Sequence, residues 1–408
     1  MVVTNAGNNK SVKDAAGKIF PLQKLSNGTS VFMVENVPAL GTALYSLSPV
    51  EASPLIPAFV LTDSTLSNGK ISIGWDRNNG SITSLQAGNN FNYAGEFKNQ
   101  GLNSYWYVPG VNPADAVTNG NVQVTVIENG PVVTSIAITS TAPGANQLQR
   151  ILSLYANGDE VEIANTIDKK SIRTNEGVNF GFPFNGLLNR TTLDAGYGSI
   201  KFLGDQLPGS NMDYLYGRRW IDASSSDKGI QLLLMEAPLV EPGNMIDERK
   251  TIMQAHKEWK KEGTPTATWF SYVMNNYWNT NYKADQEGKA MFRYALRPHN
   301  MLNGSEAEKA AASFTQPFIA IPVNDNTTIP GQLFELTNNR VVVTGITPSE
   351  EGGFIIRMFN PEQAIQETSL IWKSFLPTSI KQISTGNVIK PSAAITVAAM
   401  GISEFLVK

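Results

Sequence analysis

Short runs of alternating apolar and polar residues, broken by Gly, Asn and Pro, fill most of the chain. Such period-2 alternation predicts half-buried strands, and the breaks predict the turns that join them. Near the start, residues 18–23 (KIFPLQ) and 30–34 (SVFMV) flank Ser26-Asn27-Gly28, an Asn-Gly hairpin signal, and residues 42–47 follow. Residues 48–58 hold three prolines and no period, so they read as a linker. Residues 70–75 and 81–85 form a second hairpin around Asp76-Arg77-Asn78-Asn79-Gly80. Strands at 121–128, 131–141, 147–155 and 160–168 then succeed one another without helices between them. That succession excludes a parallel βαβ layout and favours antiparallel sheets packed face to face. After Pro317 the pattern resumes at 340–344, 353–358, 394–397 and 402–407, a smaller sandwich.

Helical signals are few. Residues 303–314 (NGSEAEKAAASF) predict one helix, with a serine N-cap, acids in the first turn and alanines after. Residues 247–261 are charged, with Ile252, Met253, His256 and Trp259 at helical spacings, and fit either a surface helix or a long loop. The fold class is all-β: one large antiparallel unit at about residues 59–318, a small β-unit with its linker at 1–58, and a small sandwich at 319–408. With 408 residues there is ample chain for a sizeable core.

Composition removes several function classes. Charged residues are 16% of the chain and the net charge is −3, with no Lys/Arg run, which argues against a nucleic-acid surface. There is no cysteine, hence no disulfide, thiolate metal site or cysteine nucleophile, and two histidines, His256 and His299, are too few for a multi-histidine zinc site. No apolar run reaches the roughly 20 residues of a membrane-spanning helix, so no membrane partner is expected. The first residues lack the apolar core of a signal peptide, which leaves a cytoplasmic protein or a piece of a longer chain. They already sit inside a strand-and-turn pattern, which favours the second.

Chemistry concentrates in two aromatic stretches. Residues 275–282 (NNYWNTNY) put four amides beside three rings: flat faces for sugar C–H groups, and fixed donors and acceptors for hydroxyls. The same residues also fit core anchors with turn-capping asparagines. In residues 102–110 (LNSYWYVPG), extended backbone puts Tyr105 and Tyr107 on one face and Trp106 on the other. Tyr105, Trp106, Asn276 and Trp278 are therefore the candidate sugar contacts. A glycosidase needs two carboxylates about 5–10 Å apart, and Asp222, Glu236, Glu241, Asp285 and Glu287 lie near turns or aromatics, but no motif gives any of them a role. A mutarotase would need a histidine with a carboxylate, for which His256 and His299 are the only histidines. The Asn-x-Ser/Thr sequons at Asn27, Asn79, Asn189, Asn303 and Asn326 are what chance gives in such a composition.

Several pieces, in a shared order, resemble the late β-domains of family 38 glycoside hydrolases, the retaining α-mannosidases, particularly bacterial members. They are residues 17–45, the VEIANTIDKK and VNFGFPFN segments within 158–185, Arg219-Trp220-Ile221-Asp222 ahead of GIQLLLMEAPLVEPG, residues 274–299, and residues 340–361. The resemblance covers nearly the whole chain. It implies a galactose-mutarotase-like supersandwich with smaller β-units before and after it. It also implies that the catalytic α/β barrel, with its aspartate nucleophile and a zinc held by His and Asp ligands, is absent from this chain, together with a helical bundle and an opening strand. No catalytic residue, metal site or cofactor is then expected here. The expected partners are that N-terminal barrel and mannoside carbohydrate, in a bacterial parent that is secreted or periplasmic. A family tyrosine reaching over the barrel mouth matches Tyr105 in Ser104-Tyr105-Trp106-Tyr107-Val108-Pro109, whereas the family's site arginine finds no match around residues 241–249. A self-standing carbohydrate-binding sandwich and an aldose-epimerase-like enzyme are the alternatives.

Overall fold

The structure is a computed structural model and describes residues 2–4, 6–53, 58–88, 90–187, 190–249, 259–278, 281, 283–301, 303–324 and 329–408. All described strand pairings between named strands are antiparallel, which makes the chain all-β as its alternation predicts. It divides into two compact units, one of residues 54–195 and 200–301 and the other of residues 1–53, 196–199 and 302–408.

The larger unit is built on a nine-stranded sheet and a five-stranded sheet, with a four-stranded sheet at residues 60–87. In the nine-stranded sheet, Val122–Asn129, Val133–Ala142, Ala145–Tyr155 and Val161–Lys169 form a meander, and Gly288–His299 pairs with the last of them. Val161–Lys169 alternates strictly between buried and half-buried positions, the mark of a sheet with one core face. Its inward residues Val161, Ile163 and Ile167 join Leu148, Leu152, Leu232, Tyr294 and Leu296 in one apolar core.

The five-stranded sheet runs in the order Ser104–Pro109, Glu176–Pro183, Thr268–Asn275, Leu239–Pro242, Leu215–Tyr216. Its inner face supplies Tyr105, Val178, Phe180, Phe182 and Trp269 to the same core. The Tyr294 hydroxyl donates to Ser271 Oγ (2.9 Å) across the two sheets. Every position of Glu176–Pro183 is buried, so this sheet is covered on both faces. On its far side lie Trp106, Val108, Met245 and Phe270, and beside them Ile246, Tyr272 and Tyr277.

The predicted hairpin at Asp76–Gly80 forms. Asp76 Oδ1 accepts from the amides of Asn78 (2.7 Å) and Asn79 (2.9 Å), and Gly80 takes φ +72°. A Cβ there would stand 2.6 Å from Arg150 Nη2 and 2.5 Å from Ile138 Cγ2, so close packing as well as backbone conformation requires glycine. Arg150 is fully buried and has no carboxylate partner among the described residues; its guanidinium donates to the carbonyls of Asn79 (2.5 Å) and Asn103 (3.2 Å). Burial alone pulls its pKa down to about 10, so it stays charged at neutral pH.

In the other unit, strands at Val2–Thr4, Ser30–Phe32, Ile19–Lys24, Ser11–Asp14 and Tyr45–Ser48 make one sheet, in that order. A second core gathers Phe334, Ile356, Met358, Leu370, Ile380, Phe405 and Val407. The backbone amide of Leu333 donates to the Leu40 carbonyl (3.1 Å), and Gln332 Nε2 to that of Ala39 (3.1 Å), so the chain's first and last segments meet within this unit.

Two local expectations change. The helix spans Gly304–Thr315, and its N-cap is Asn303 rather than serine. Asn303 sits in extended backbone, and its Oδ1 accepts from the Ser305 amide (3.0 Å) and hydroxyl (2.8 Å), so the amide outcompetes the serine for the cap. The undecided stretch 247–261 falls mostly outside the described residues, as do the centre of the 48–58 linker and Asn279, Thr280 and Tyr282 of the aromatic loop.

Truncating Phe180 to alanine in the shared core should cost about 3–5 kcal/mol in urea unfolding followed by tryptophan fluorescence. Phe318→Ser at an exposed position should stay within about 0.5 kcal/mol of the parent.

Candidate functional site

A groove of about 260 Å³ opens on the larger unit. The strand Thr268–Asn275 forms its floor. Period 2 turns Trp269 and Ser271 toward the core, and Phe270 and Tyr272 outward. Beyond the strand's end, Asn275, Tyr277 and Trp278 continue the wall. Leu239, Ile246 and Glu248 come from the adjoining strand and the loop after it, and Asn211, Tyr214 and Trp259 close the far side.

Asn276 is the fastener of this wall. Its Oδ1 accepts from the Glu176 amide (2.7 Å), and its Nδ2 donates to the carbonyls of Ile172 (2.9 Å), Thr174 (2.8 Å) and Ala284 (3.2 Å). One side chain thus satisfies the backbone of the neighbouring strand's approach and of the loop's own return. The fixed turn holds Tyr277 inward and leaves Trp278 outside, 41% exposed. Beneath it, Lys169 and Glu176 form a buried ion pair at 2.5 Å.

Glu241 is fully buried. Its Oε1 accepts from the amide of Ile246 (3.1 Å), and its Oε2 has no partner among the described residues. Burial pushes its carboxyl well above the usual 4.5, and the nearby Glu248 and Asp213 push it further, against the opposing Ile246 hydrogen bond. The Tyr272 hydroxyl donates to Glu248 Oε1 at 3.4 Å. Both Tyr272 and Tyr277 are pushed far above the ordinary phenol range, first by burial and then by these two glutamates, so they stay neutral.

The four candidate contacts divide. Trp278 lines the groove with an exposed ring. Asn276 lies just behind the wall, its amide spent on backbone. Tyr105 is in the core, its hydroxyl donating to the Pro143 carbonyl (2.6 Å). Trp106 takes the opposite face, as alternation requires, but it too is buried, packed edge-on to Phe97 and Phe270, with its indole NH on Ser104 Oγ (2.9 Å). Neither face of that stretch is open.

The carboxylates sort similarly. Glu236 is paired with Arg293 (2.5 Å), Glu287 with Lys283 (2.5 Å), and Asp285 accepts from the Ser171 hydroxyl. Asp222 is buried between the His299 ring and the Ser224 hydroxyl, so a histidine–carboxylate pair does form. It sits at a strand end where Gly229 has no room for a Cβ, and neither residue lines the groove. His256 lies outside the described residues. Asn211, Tyr214, Ile246, Glu248 and Trp259 were not singled out from sequence as ligand contacts. They are scattered over the chain, and only folding brings them to one wall.

No protein-family model and no curated protein matches the sequence. Solved structures do match. A protein in glycosyl hydrolase family 38 from Enterococcus faecalis superposes with a TM-score of 0.72 at 12% identity, over 99% of this chain and 53% of that one. An alpha-mannosidase from Enterococcus faecalis V583 gives 0.71 at 12% identity, over 99% and 51%. The likeness runs over practically the whole chain, as the sequence resemblance implies, and it establishes the fold. The chain spans about half the length of these structures.

Asn276→Ala should cost about 2–4 kcal/mol, because it orphans one amide and several carbonyls at once. For Glu241 the sign is set by its raised folded-state pKa. Unfolded, it releases its proton as pH rises past about 4.5, while the folded protein retains it, so stability falls with rising pH from there toward the folded value. Glu241→Gln keeps the acceptor for Ile246, and should therefore gain stability over the parent at about pH 8 but not at about pH 4, read from thermal unfolding.

Proposed function

We propose that this chain is the non-catalytic C-terminal β-region of a retaining, α-mannosidase-like glycoside hydrolase. It braces a catalytic barrel and contributes to the wall of its sugar site, and it is inactive alone. The observation that carries this reading is the superposition of nearly the whole chain on about half of two family 38 structures, which leaves the other half of those structures without a counterpart here. The ordered sequence pieces support it independently. The retaining reaction calls for a carboxylate nucleophile and an acid–base about 5–5.5 Å apart on either side of a glycosidic bond. Of the candidate carboxylates in this chain, four are engaged with cations or hydrogen-bond donors, and Glu241 is walled in. On this reading the zinc implied by the resemblance belongs with the barrel.

The groove favours a second, compatible reading, that the chain also binds carbohydrate by itself. Exposed Trp278 and Trp259 offer stacking faces, and Asn211, Asn275 and Glu248 offer hydrogen-bonding groups in a space suited to one sugar ring. This relocates the contacts from Tyr105 and Trp106 to the outer face of the five-stranded sheet.

Purified and assayed alone, the chain should show no turnover of an aryl α-mannoside, with or without added zinc. Turnover that disappears in Glu241→Gln or Glu248→Gln would overturn the non-catalytic reading.

A further inference from the structure

Directly after the helix at Gly304–Thr315, residues 316–324 (QPFIAIPVN) run along the surface of the unit formed by residues 1–53, 196–199 and 302–408. Every one of these positions is exposed, Ile319 at 86% and Ile321 at 73%, with Phe318 and Val323 beside them. Among the described residues none of 317–324 makes a hydrogen bond, through backbone or side chain. A folded chain rarely leaves so continuous an apolar run in water, and such runs mark interaction surfaces. The backbone here is also biased toward the extended state. Gln316 and Ile321 each precede a proline, which disfavours helical backbone for them, and Ile319, Ile321 and Val323 are β-branched. An extended strip with unpaired amides and carbonyls pairs readily with another strand.

The prolines select the phase of that pairing. Along a strand, the backbone groups of successive residues point to alternate edges. With the even-numbered residues facing a partner, Pro322 would bring no N–H to the ladder. With the odd-numbered residues facing it, Ile319, Ile321 and Val323 offer complete pairs of groups, and the missing donor of Pro317 falls at the end, where pairing stops. Pro322 then lies on the outer edge and withholds a donor from any third strand, which favours closure at two. The strip carries no charge, so a second copy of it meets no like-charge repulsion. A two-fold axis lays each copy's bare strip on the other's and covers both at once. We infer that residues 317–323 are a self-recognition strand, pairing antiparallel with the same strand of a second copy of this chain through the amides and carbonyls of Ile319, Ile321 and Val323.

Sedimentation equilibrium of the full chain over a concentration series should show a reversible monomer–dimer transition. Ile319→Pro should weaken the dimer about tenfold or more relative to Ile319→Ala, because proline keeps at least as much apolar surface but loses the inward donor in both copies. Leu376→Ser, at another exposed apolar position, should leave the dissociation constant within about twofold of the parent. In hydrogen exchange resolved to single amides, Ile319, Ile321 and Val323 should gain protection as concentration rises, while Phe318 and Ala320 do not. A chain that stays monomeric at every concentration would overturn the inference and leave the strip to a different partner. A dimer weakened equally by Ile319→Pro and Ile319→Ala, or weakened by Leu376→Ser as much as by Ile319→Pro, would overturn it too, since general apolar adhesion would then account for the association.

Discussion

A sheet buried on both faces constrains everything around it. All eight positions of Glu176–Pro183 are buried, and its neighbour Thr268–Asn275 sends Trp269 to one apolar cluster and Phe270 to another. The inner side is covered by the nine-stranded sheet. Among the described residues no second sheet lies on the outer side, and loops cover it. Met245 and Ile246 lie over it, and to do so their loop must bring Glu241 and Glu248 with it. Where that cover stops, the outward rings Tyr272 and Tyr277 meet Trp278 and Tyr214, and the groove is what remains. The site is thus a consequence of incomplete coverage on an otherwise dry sheet face.

The same constraint explains why polar groups near the groove are held so firmly. A buried amide or carbonyl without a partner is costly, so the loop entering and leaving the wall is tied by Asn276 to three carbonyls and one amide. Lys169 and Glu176 neutralise one another below it. Glu241 also keeps one carboxyl oxygen without a partner among the described residues, and burial pushes that carboxyl toward its neutral form.

Much of the fold was legible in the alternation itself, since Val161–Lys169 and Ala145–Tyr155 read directly as one-sided strands. The strand at Glu176–Pro183 gives a weaker signal, because a doubly covered strand has no polar face. The ring stretches stand out by residue type, but where each ring lies depends on coverage that spacing does not encode. Tyr105 and Trp106 do point to opposite sides, yet both sides are covered, by the core and by Phe97 with Met245. In the later loop Asn276 and Trp278 are two residues apart and have opposite fates, one a backbone fastener and one an exposed ring. Glu248 and Trp259 come from a charged stretch that fits either a surface helix or a long loop, and nothing in its spacing marks them as groove residues.

The direct test of a binding wall built in advance by the doubly covered sheet is amide hydrogen exchange over residues 268–278 in the free protein. If the sheet sets the wall, the amides of 269–274 exchange only at the rate of global unfolding of the larger unit, and adding a ligand does not slow them further. Fast exchange in the free protein that becomes protected only when ligand is present would contradict it, since the wall would then be assembled by the ligand.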